Sequence, residues 1–341
     1  MNLCVIEGDG IGHEVIPAAL KVLKLVAPEI NVHHGVAGWD HFLETGIPLP
    51  DETLELAKNC GAVLFGAASS PSYSVQGYYI PVVRLRKELQ TYCSLRPTRY
   101  LPVPTSREGV DVLVARESTE DLYSGLEHSE EGGDRGISEK VITRSATERI
   151  ARKTYELAHS TGRKRVTIVH KASVLVQSDG LFRRVALEVS QEYPDIITDE
   201  LLVDTAAYWM VRDPKRFDVI LTSNLYGDIL SDMAAAWGGG LGLAPSLSIG
   251  DGAALAEPVH GSAPDIAGRN IANPTACILS VAMLLRHHWG RRDLARRVEA
   301  AVRATLRAGY HTADIFPEDA VSTTVFTDQV CENLVSEHLE V

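Results

Sequence analysis

Two patterns of apolar and polar residues alternate along the chain. Short apolar runs end on a polar or glycine residue, and longer stretches are apolar at every third or fourth position. The first run, 3–6, closes on Glu7-Gly8-Asp9-Gly10-Ile11-Gly12, and helical spacing follows from His13 to about Val26. Residues 62–66 predict a second strand, leading into the small-residue loop Ala67-Ala68-Ser69-Ser70-Pro71. A helix is expected over about 82–92. Arg96-Pro97 closes that segment, because proline disfavours a helical residue before it. Residues 110–115 form a strand that delivers Arg116 through Tyr123. The charged stretch 127–135 and the alternation over 137–144 predict a hairpin or projecting arm. A helix over 145–160 has Ser145, Thr147 and Glu148 as capping groups.

Three more strands are expected: 166–169 ending at His170-Lys171, 201–203 ending at Asp204, and 217–222 feeding Asn224 through Asp232. Helices are expected over 181–193, from 205, and over about 276–288 and 293–308. Trp237-Gly238-Gly239-Gly240-Leu241-Gly242 breaks the pattern as a candidate hinge, and 260–268 is a polar, glycine-rich loop. Strands alternating with helices predict an α/β fold. The first glycine turn reads G-x-G-x-G rather than G-x-G-x-x-G, and no acid closes a second strand, so a Rossmann site is not expected there.

Composition narrows the partners. The 341 residues suggest about two domains, with 45% apolar and 23% charged residues. The net charge of −12 argues against nucleic acid or an anionic membrane surface, so clustered arginines become informative. Five cysteines without a C-x-x-C make a disulfide framework or zinc site unexpected and fit a reduced, cytoplasmic setting. The strand at 3–6 leaves no room for a signal peptide, and no apolar run reaches membrane-spanning length.

Asp228 and Asp232 stand four apart, on one face of a helix. Read alone, they are two solvated acids or half of an all-oxygen site for Mg2+ or Mn2+. Arg116, Lys171 and Asp204 stand at strand ends, where α/β proteins gather ligands. Arg86, Arg96 and Arg116 would clamp a di- or tricarboxylate, if they are not ordinary surface arginines. Lys171 could act as a base and Tyr123 as a proton donor, and each alone could equally be structural.

Taken in order, these segments resemble the metal-dependent β-decarboxylating dehydrogenases, which oxidise isocitrate, homoisocitrate, 3-isopropylmalate or tartrate with NAD or NADP. The match covers nearly the whole chain. It includes Glu7 to Gly12, Leu85 to Leu89 with Arg96-Pro97, Arg116-Glu117 through Tyr123, His170-Lys171, Asp204, Asn224 to Asp232, and Glu257 to Asp265. The resemblance implies a two-domain isopropylmalate-dehydrogenase-like fold with a large mixed sheet, not a Rossmann fold. Residues 1–97 and 239–341 would form one domain. Residues 98–238 would form the other, with the dimer interface and an arm near 124–143.

It further implies a homodimer or higher homo-oligomer with shared sites, in which Asp204 and Lys171 serve the partner's Asp228, Asp232 and arginines. Metal ligands would be Asp204, Asp228 and Asp232, and catalytic groups Tyr123 and Lys171. Substrate contacts would be Ser70, Val83, Arg86, Arg96, Arg116 and Ser173. The cofactor pocket would use His260, Gly261, Ser262, Ala263, Asp265 and Asn273. Members that use NADP carry a basic residue where Asp265 stands. A carboxylate there favours the ribose hydroxyls and repels a 2′-phosphate, so NAD is expected.

The stretch before Arg86, Gly77-Tyr78-Tyr79-Ile80-Pro81-Val82-Val83-Arg84-Leu85, looks most like that of members oxidising homoisocitrate to 2-oxoadipate in lysine synthesis. Some bacterial members that take both homoisocitrate and isocitrate carry an arginine where Val83 stands, so isocitrate is expected to be a poor substrate unless Arg84 turns inward. 3-Isopropylmalate or isocitrate is the alternative substrate. A non-catalytic regulatory subunit is disfavoured, because every catalytic and metal group is present. Three departures stand out: Ser118 and Asp121 replace an Asn and a Gly before Tyr123, and Ser173 replaces an Asn.

Overall fold

The first strand, β1 (Asn2–Gly8), is apolar on both faces and fully buried from Leu3 to Ile6. That is the pattern of a strand inside a parallel sheet. In the computed structural model, which describes residues 1–73 and 75–336, it pairs in parallel with β2 (Asn31–Gly35) and β3 (Ala62–Ala67). The chain folds as two compact units: Met1–Gln90, Tyr100–Glu108 and Ala235–Val341, then Thr91–Arg99 and Gly109–Ala234.

In the first unit, β12 (Ala254–Pro258) lies parallel to β3, and β11 (Pro245–Ile249) runs antiparallel to β12. The helices of this unit are α1 (Gly12–Val26), α2 (Trp39–Thr45), α3 (Asp51–Cys60), α4 (Pro81–Glu88), α9 (Thr275–His287), α10 (Arg292–Arg307) and α11 (Thr323–Ser336). α1 packs on α9 and α11, and α9 on both β11 and β12.

The glycine turn after β1 is a packing device. Gly8 (φ 72°) and Gly10 (φ 57°) are left-handed, and a Cβ would lie 1.8 Å from the Ala67 carbonyl oxygen and 2.1 Å from that of Ser262. Between them the buried Asp9 carboxylate accepts the backbone N–H groups of Trp39 (2.9 Å), Asp40 (3.0 Å) and Ser69 (2.7 Å). The motif fastens three loops to one strand end.

The second unit is built on β4 (Cys93–Arg99), β5 (Asp111–Glu117), β10 (Val219–Thr222), β8 (Arg165–His170) and β9 (Ile197–Leu202), neighbours in that order. β4 and β5 are antiparallel and the other pairs parallel, so both units carry the expected mixed pairing. α5 (Arg144–Thr161), α6 (Ser178–Ser190), α7 (Val203–Arg212) and α8 (Asn224–Gly238) complete the connections, α8 running on into the first unit. A separate exposed hairpin, β6 (Glu127–Glu130) with β7 (Arg135–Ser138), occupies the predicted arm.

Four local expectations are corrected. α4 ends at Glu88, not near 92, because Gln90 turns into the left-handed region (φ 51°) and the chain enters β4. Arg96 therefore stands on a strand. The alternation over 137–144 ends as a strand at Ser138, and α5 begins at Arg144. The cap of α5 is Thr143, whose Oγ1 accepts the Ala146 N–H at 3.2 Å. Asp204 lies in the first turn of α7, past the end of β9. Among the described residues no helix is long and apolar enough to cross a membrane.

Candidate active site

β4 and β5 place two arginines side by side. Arg96 pairs with Val114 and Ser94 with Arg116, so Arg96 and Arg116 are diagonal neighbours on one face. β10 then delivers α8 beside them. Arg116, 1% exposed, donates from Nε (2.9 Å) and Nη2 (2.6 Å) to Asn224 Oδ1, and its Nη1 pairs with Asp228 Oδ1. Arg96 Nη1 lies 3.1 Å from the same carboxylate oxygen, 2.8 Å from Ser231 Oγ and 3.5 Å from Asp232 Oδ1. The Tyr123 hydroxyl donates to Asp228 Oδ2 at 2.6 Å, and the Arg116 guanidinium sits 5.0 Å from the tyrosine ring. Asp228 is thus held by two cations and a phenol.

This approach needs Gly227. A Cβ there would sit 2.6 Å from both Cβ and Cγ of Arg116. Alanine in a helix interior gains about 1 kcal/mol over glycine, whereas overpacking a tight contact costs about 1–3 kcal/mol. Gly227→Ala is therefore expected to destabilise the protein in urea unfolding and to raise the substrate KM by displacing Arg116. A stabilised variant with unchanged KM would contradict this geometry.

The electrostatics follow from burial. Burial pushes the Asp232 carboxyl up; Arg96 opposes the shift and the like charge of Asp228 adds to it. Burial also raises the Tyr123 phenol, against the nearby Arg116, keeping it protonated and able to donate. An all-oxygen pair whose mutual repulsion a cation relieves fits Mg2+ or Mn2+. Among the described residues of one chain, no three His, Cys, Asp or Glu side chains gather into a metal-holding group. Asp204, the third expected ligand, instead pairs with Lys171 Nζ, which holds its carboxyl below the usual range. Lys171 is partly buried, Asp204 and Ser173 are exposed, and the Lys171 N–H donates to Asp179 Oδ2 at 2.6 Å.

Glu120, just before this turn, accepts the N–H and hydroxyl of Thr143, yet burial pushes its carboxyl up to about 7. A folded pKa above the unfolded value adds stability at low pH that is lost as pH rises through about 7. Urea midpoints measured at about pH 4.5 and 7.5 should show that loss, and Glu120→Gln should flatten it.

The remaining expected residues lie in the first unit. Arg86 is buried on α4 and donates to Glu257 Oε1 at 2.5 Å. Val83, one turn earlier, packs against the core around Leu85. Arg84 does not take its place: its guanidinium is held by the Tyr79 hydroxyl (2.5 Å) and Asp51 (3.4 Å). Ser70 is exposed, whereas its neighbour Ser69 donates to Ser262 Oγ at 2.8 Å. His260 Nδ1 lies 2.9 Å from the Gly261 carbonyl, and burial lowers its pKa. Asp265 and Gly261 are exposed, and Ala263 is left-handed (φ 39°). The Asn273 amide is occupied by Asp314 and the Thr275 N–H, each at 3.0 Å.

Sequence reasoning assigned no role to Asn224, Ser231 or Glu257, the partners of the three arginines. The signal for Asn224 was its place at the end of a strand, the same signal that marked Arg116.

Comparison with known proteins shows the family. The family model for isocitrate/isopropylmalate dehydrogenase matches residues 2–330. The chain is 47% identical to an isocitrate/homoisocitrate dehydrogenase of Thermus thermophilus, over 98% of this chain and 99% of that one. It is 46% identical to a 3-isopropylmalate dehydrogenase of Archaeoglobus fulgidus, covering 92% and 94%. A crystal structure of isocitrate dehydrogenase from Methylococcus capsulatus superposes with a TM-score of 0.94 at 40% identity, covering 98% and 99%.

Proposed function

Because the chain belongs to the isocitrate/isopropylmalate dehydrogenase family, whose enzymes act on small carboxylic acids with NAD(P) and a divalent metal, we propose that it oxidises and decarboxylates homoisocitrate to 2-oxoadipate, with NAD and Mg2+ or Mn2+. The observation that carries the chemistry is Asp228, set between Arg96, Arg116 and Tyr123 on a helix that also presents Asp232. Support for the substrate comes from the stretch before Arg86, where apolar, partly buried Val83 stands one turn from that arginine.

In this reading Arg86, Arg96 and Arg116 bind the substrate carboxylates bidentately. Asp228 and Asp232, with Asp204 of the partner subunit, would hold a divalent cation, which would supply Lewis-acid polarisation of the substrate oxygens. The loop from His260 to Asp265 and Asn273 would hold NAD, which would supply the hydride acceptor. Ser70 and Ser173 flank the nicotinamide end. Lys171 takes the hydroxyl proton as the C–H bond of the alcohol carbon is oxidised. CO2 leaves from the adjoining carbon, and Tyr123 returns a proton to it. The raised phenol pKa suits that donation.

In this reading Asp204, which pairs with Lys171 in its own chain, comes to the metal of a second copy. The exposed apolar residues Leu122, Leu126, Val174, Val176, Tyr208, Val211 and Ile229 all lie in the second unit and supply the surface for that homodimer. The five free cysteines fit a cytoplasmic enzyme.

Side-by-side turnover of homoisocitrate, 3-isopropylmalate and isocitrate with NAD and Mg2+ tests the reading. The expected order puts homoisocitrate first in kcat/KM. An equal or better rate on 3-isopropylmalate would overturn the substrate assignment, and full activity in EDTA would overturn the metal.

A further inference from the structure

Asp121 occupies a backbone position made for glycine. Its φ of 73° and ψ of −150° fall where side chains are strained. The residue is fully buried nonetheless, so its contacts must hold it there. Its Oδ1 accepts the N–H of Leu122 at 2.8 Å, next to Tyr123. Its Oδ2 accepts the N–H of Leu225 at 3.0 Å, in the first turn of α8 and three residues before Asp228. One carboxylate therefore ties the tyrosine turn to the helix that carries its partner. An anion at a helix N-terminus is also favoured by the orphan N–H groups there.

The charge is balanced by Lys140. Its ammonium lies 3.6 Å from Asp121 Oδ1, 2.7 Å from Asp179 Oδ1, 3.4 Å from Ser223 Oγ and 4.1 Å from the centre of the Tyr226 ring. The lysine is 11% exposed, Asp179 2% and Asp121 0%. Asp179 in turn accepts the Lys171 N–H at 2.6 Å. A buried cation thus joins the segment bearing Tyr123, the start of α8 and the segment bearing Lys171. Desolvating these three charges is costly unless each is paired, and here Lys140 pairs with both carboxylates.

We propose that Asp121, Lys140 and Asp179 form a buried ion cluster that positions Tyr123 and Lys171, and that Lys140 and Asp121 are positioning residues for the reaction. The proposal rests on the roles given above to Tyr123 and Lys171. If those roles hold, and Lys171 serves the partner's site, the cluster also links the acid of one site to the base of the other.

Three variants of the full-length protein test it: Lys140→Met, Lys140→Arg and Asp121→Gly. Each is assayed on the acid that the wild type turns over best, and amide hydrogen exchange is followed at Leu122, Leu225 and Lys171. Lys140→Met and Asp121→Gly should lower kcat about ten- to a hundredfold, the scale of a small misplacement of reacting groups. KM should move less than about threefold, because no substrate contact is removed. Lys140→Met should speed exchange at all three amides, Asp121→Gly at Leu122 and Leu225 only, and Lys140→Arg should restore part of kcat.

Asp121→Gly is favoured by its backbone, so it decides the matter if Lys140→Met fails to fold. Wild-type kcat in Asp121→Gly, or unchanged exchange at the three amides in folded Lys140→Met, overturns the proposal. If the wild type turns over none of the acids, the functional reading fails, and exchange alone decides the cluster.

Discussion

Asp228→Asn is expected to lower kcat by at least about 10²–10³-fold, the scale of losing a preorganised charge at the reacting atoms. It should also abolish the rise in melting temperature that Mg2+ or Mn2+ is expected to give the wild type. The variant keeps the size of the side chain and its place on α8, so the loss is one of charge. Charge matters twice here. With metal and substrate, Asp228 is proposed to hold the cation. Without them, it neutralises Arg96 and the wholly buried Arg116. Removing one partner of a buried pair costs about 3–5 kcal/mol. Asp228 is 36% exposed and Asn224 keeps two of the Arg116 donors, so a smaller cost, about 1–2 kcal/mol, is expected. The variant should therefore melt a few degrees below the wild type in metal-free buffer. A full metal-induced rise in melting temperature in Asp228→Asn would sink the assignment of Asp228 as a ligand.

Each of the three arginines proposed to bind the substrate is paired with an acid within its own unit. Arg96 and Arg116 pair with the acids of α8, and Arg86 with Glu257 in the other unit. A divalent cation and a polyanionic acid arriving together would replace acid–arginine pairs by acid–cation and carboxylate–arginine pairs. Neither ligand alone satisfies both sets of charges. This predicts that each binds more tightly in the presence of the other.

How much of this was legible in the sequence depends on the range of the interaction. Asp228 and Asp232 were legible because four residues on a helix is a local spacing, and Arg116 because a strand runs straight into it. Arg96 was placed after a helix rather than on a strand. The reversal at Gln90 is a left-handed turn at a residue that carries no glycine signal, and β4 contains a proline. Its strand character comes from pairing with β5, which no local period records. β11 was missed for a related reason: its Pro245-Ser246-Leu247-Ser248-Ile249 reads as polar alternation, yet Ser246 and Ser248 are both buried. Asn224 and Glu257 were quoted as part of a motif but given no task, since a partner 108 or 171 residues away is invisible to spacing. The strain at Asp121 is the clearest case. The sequence marks only that Asp stands where Gly is usual, and the backbone angles and Lys140 say what it does.

Lys171→Met should give the other large loss, and it separates chemistry from stability. General-base catalysis contributes about 10²–10⁴-fold, and kcat is expected to fall in that range with little change in KM for NAD. The melting temperature should hardly move. The Lys171–Asp204 pair is solvent-accessible, with Asp204 63% exposed, and screening by water leaves such pairs little effect on stability. The lysine holds the Asp204 carboxyl below its ordinary range. A depressed folded pKa gives stability above the unfolded value that is lost as pH falls through the folded one. Lys171→Met should therefore lose that small contribution near neutrality, and its difference from the wild type should vanish as pH falls through the folded pKa of Asp204. Lys171→Ala, assayed with added primary amines, gives the decisive measurement. Recovery of rate that rises with the fraction of unprotonated amine identifies a missing base. A Lys171→Met enzyme with more than about a tenth of the wild-type kcat would exclude Lys171 from proton transfer, since even the weaker general bases contribute more than that.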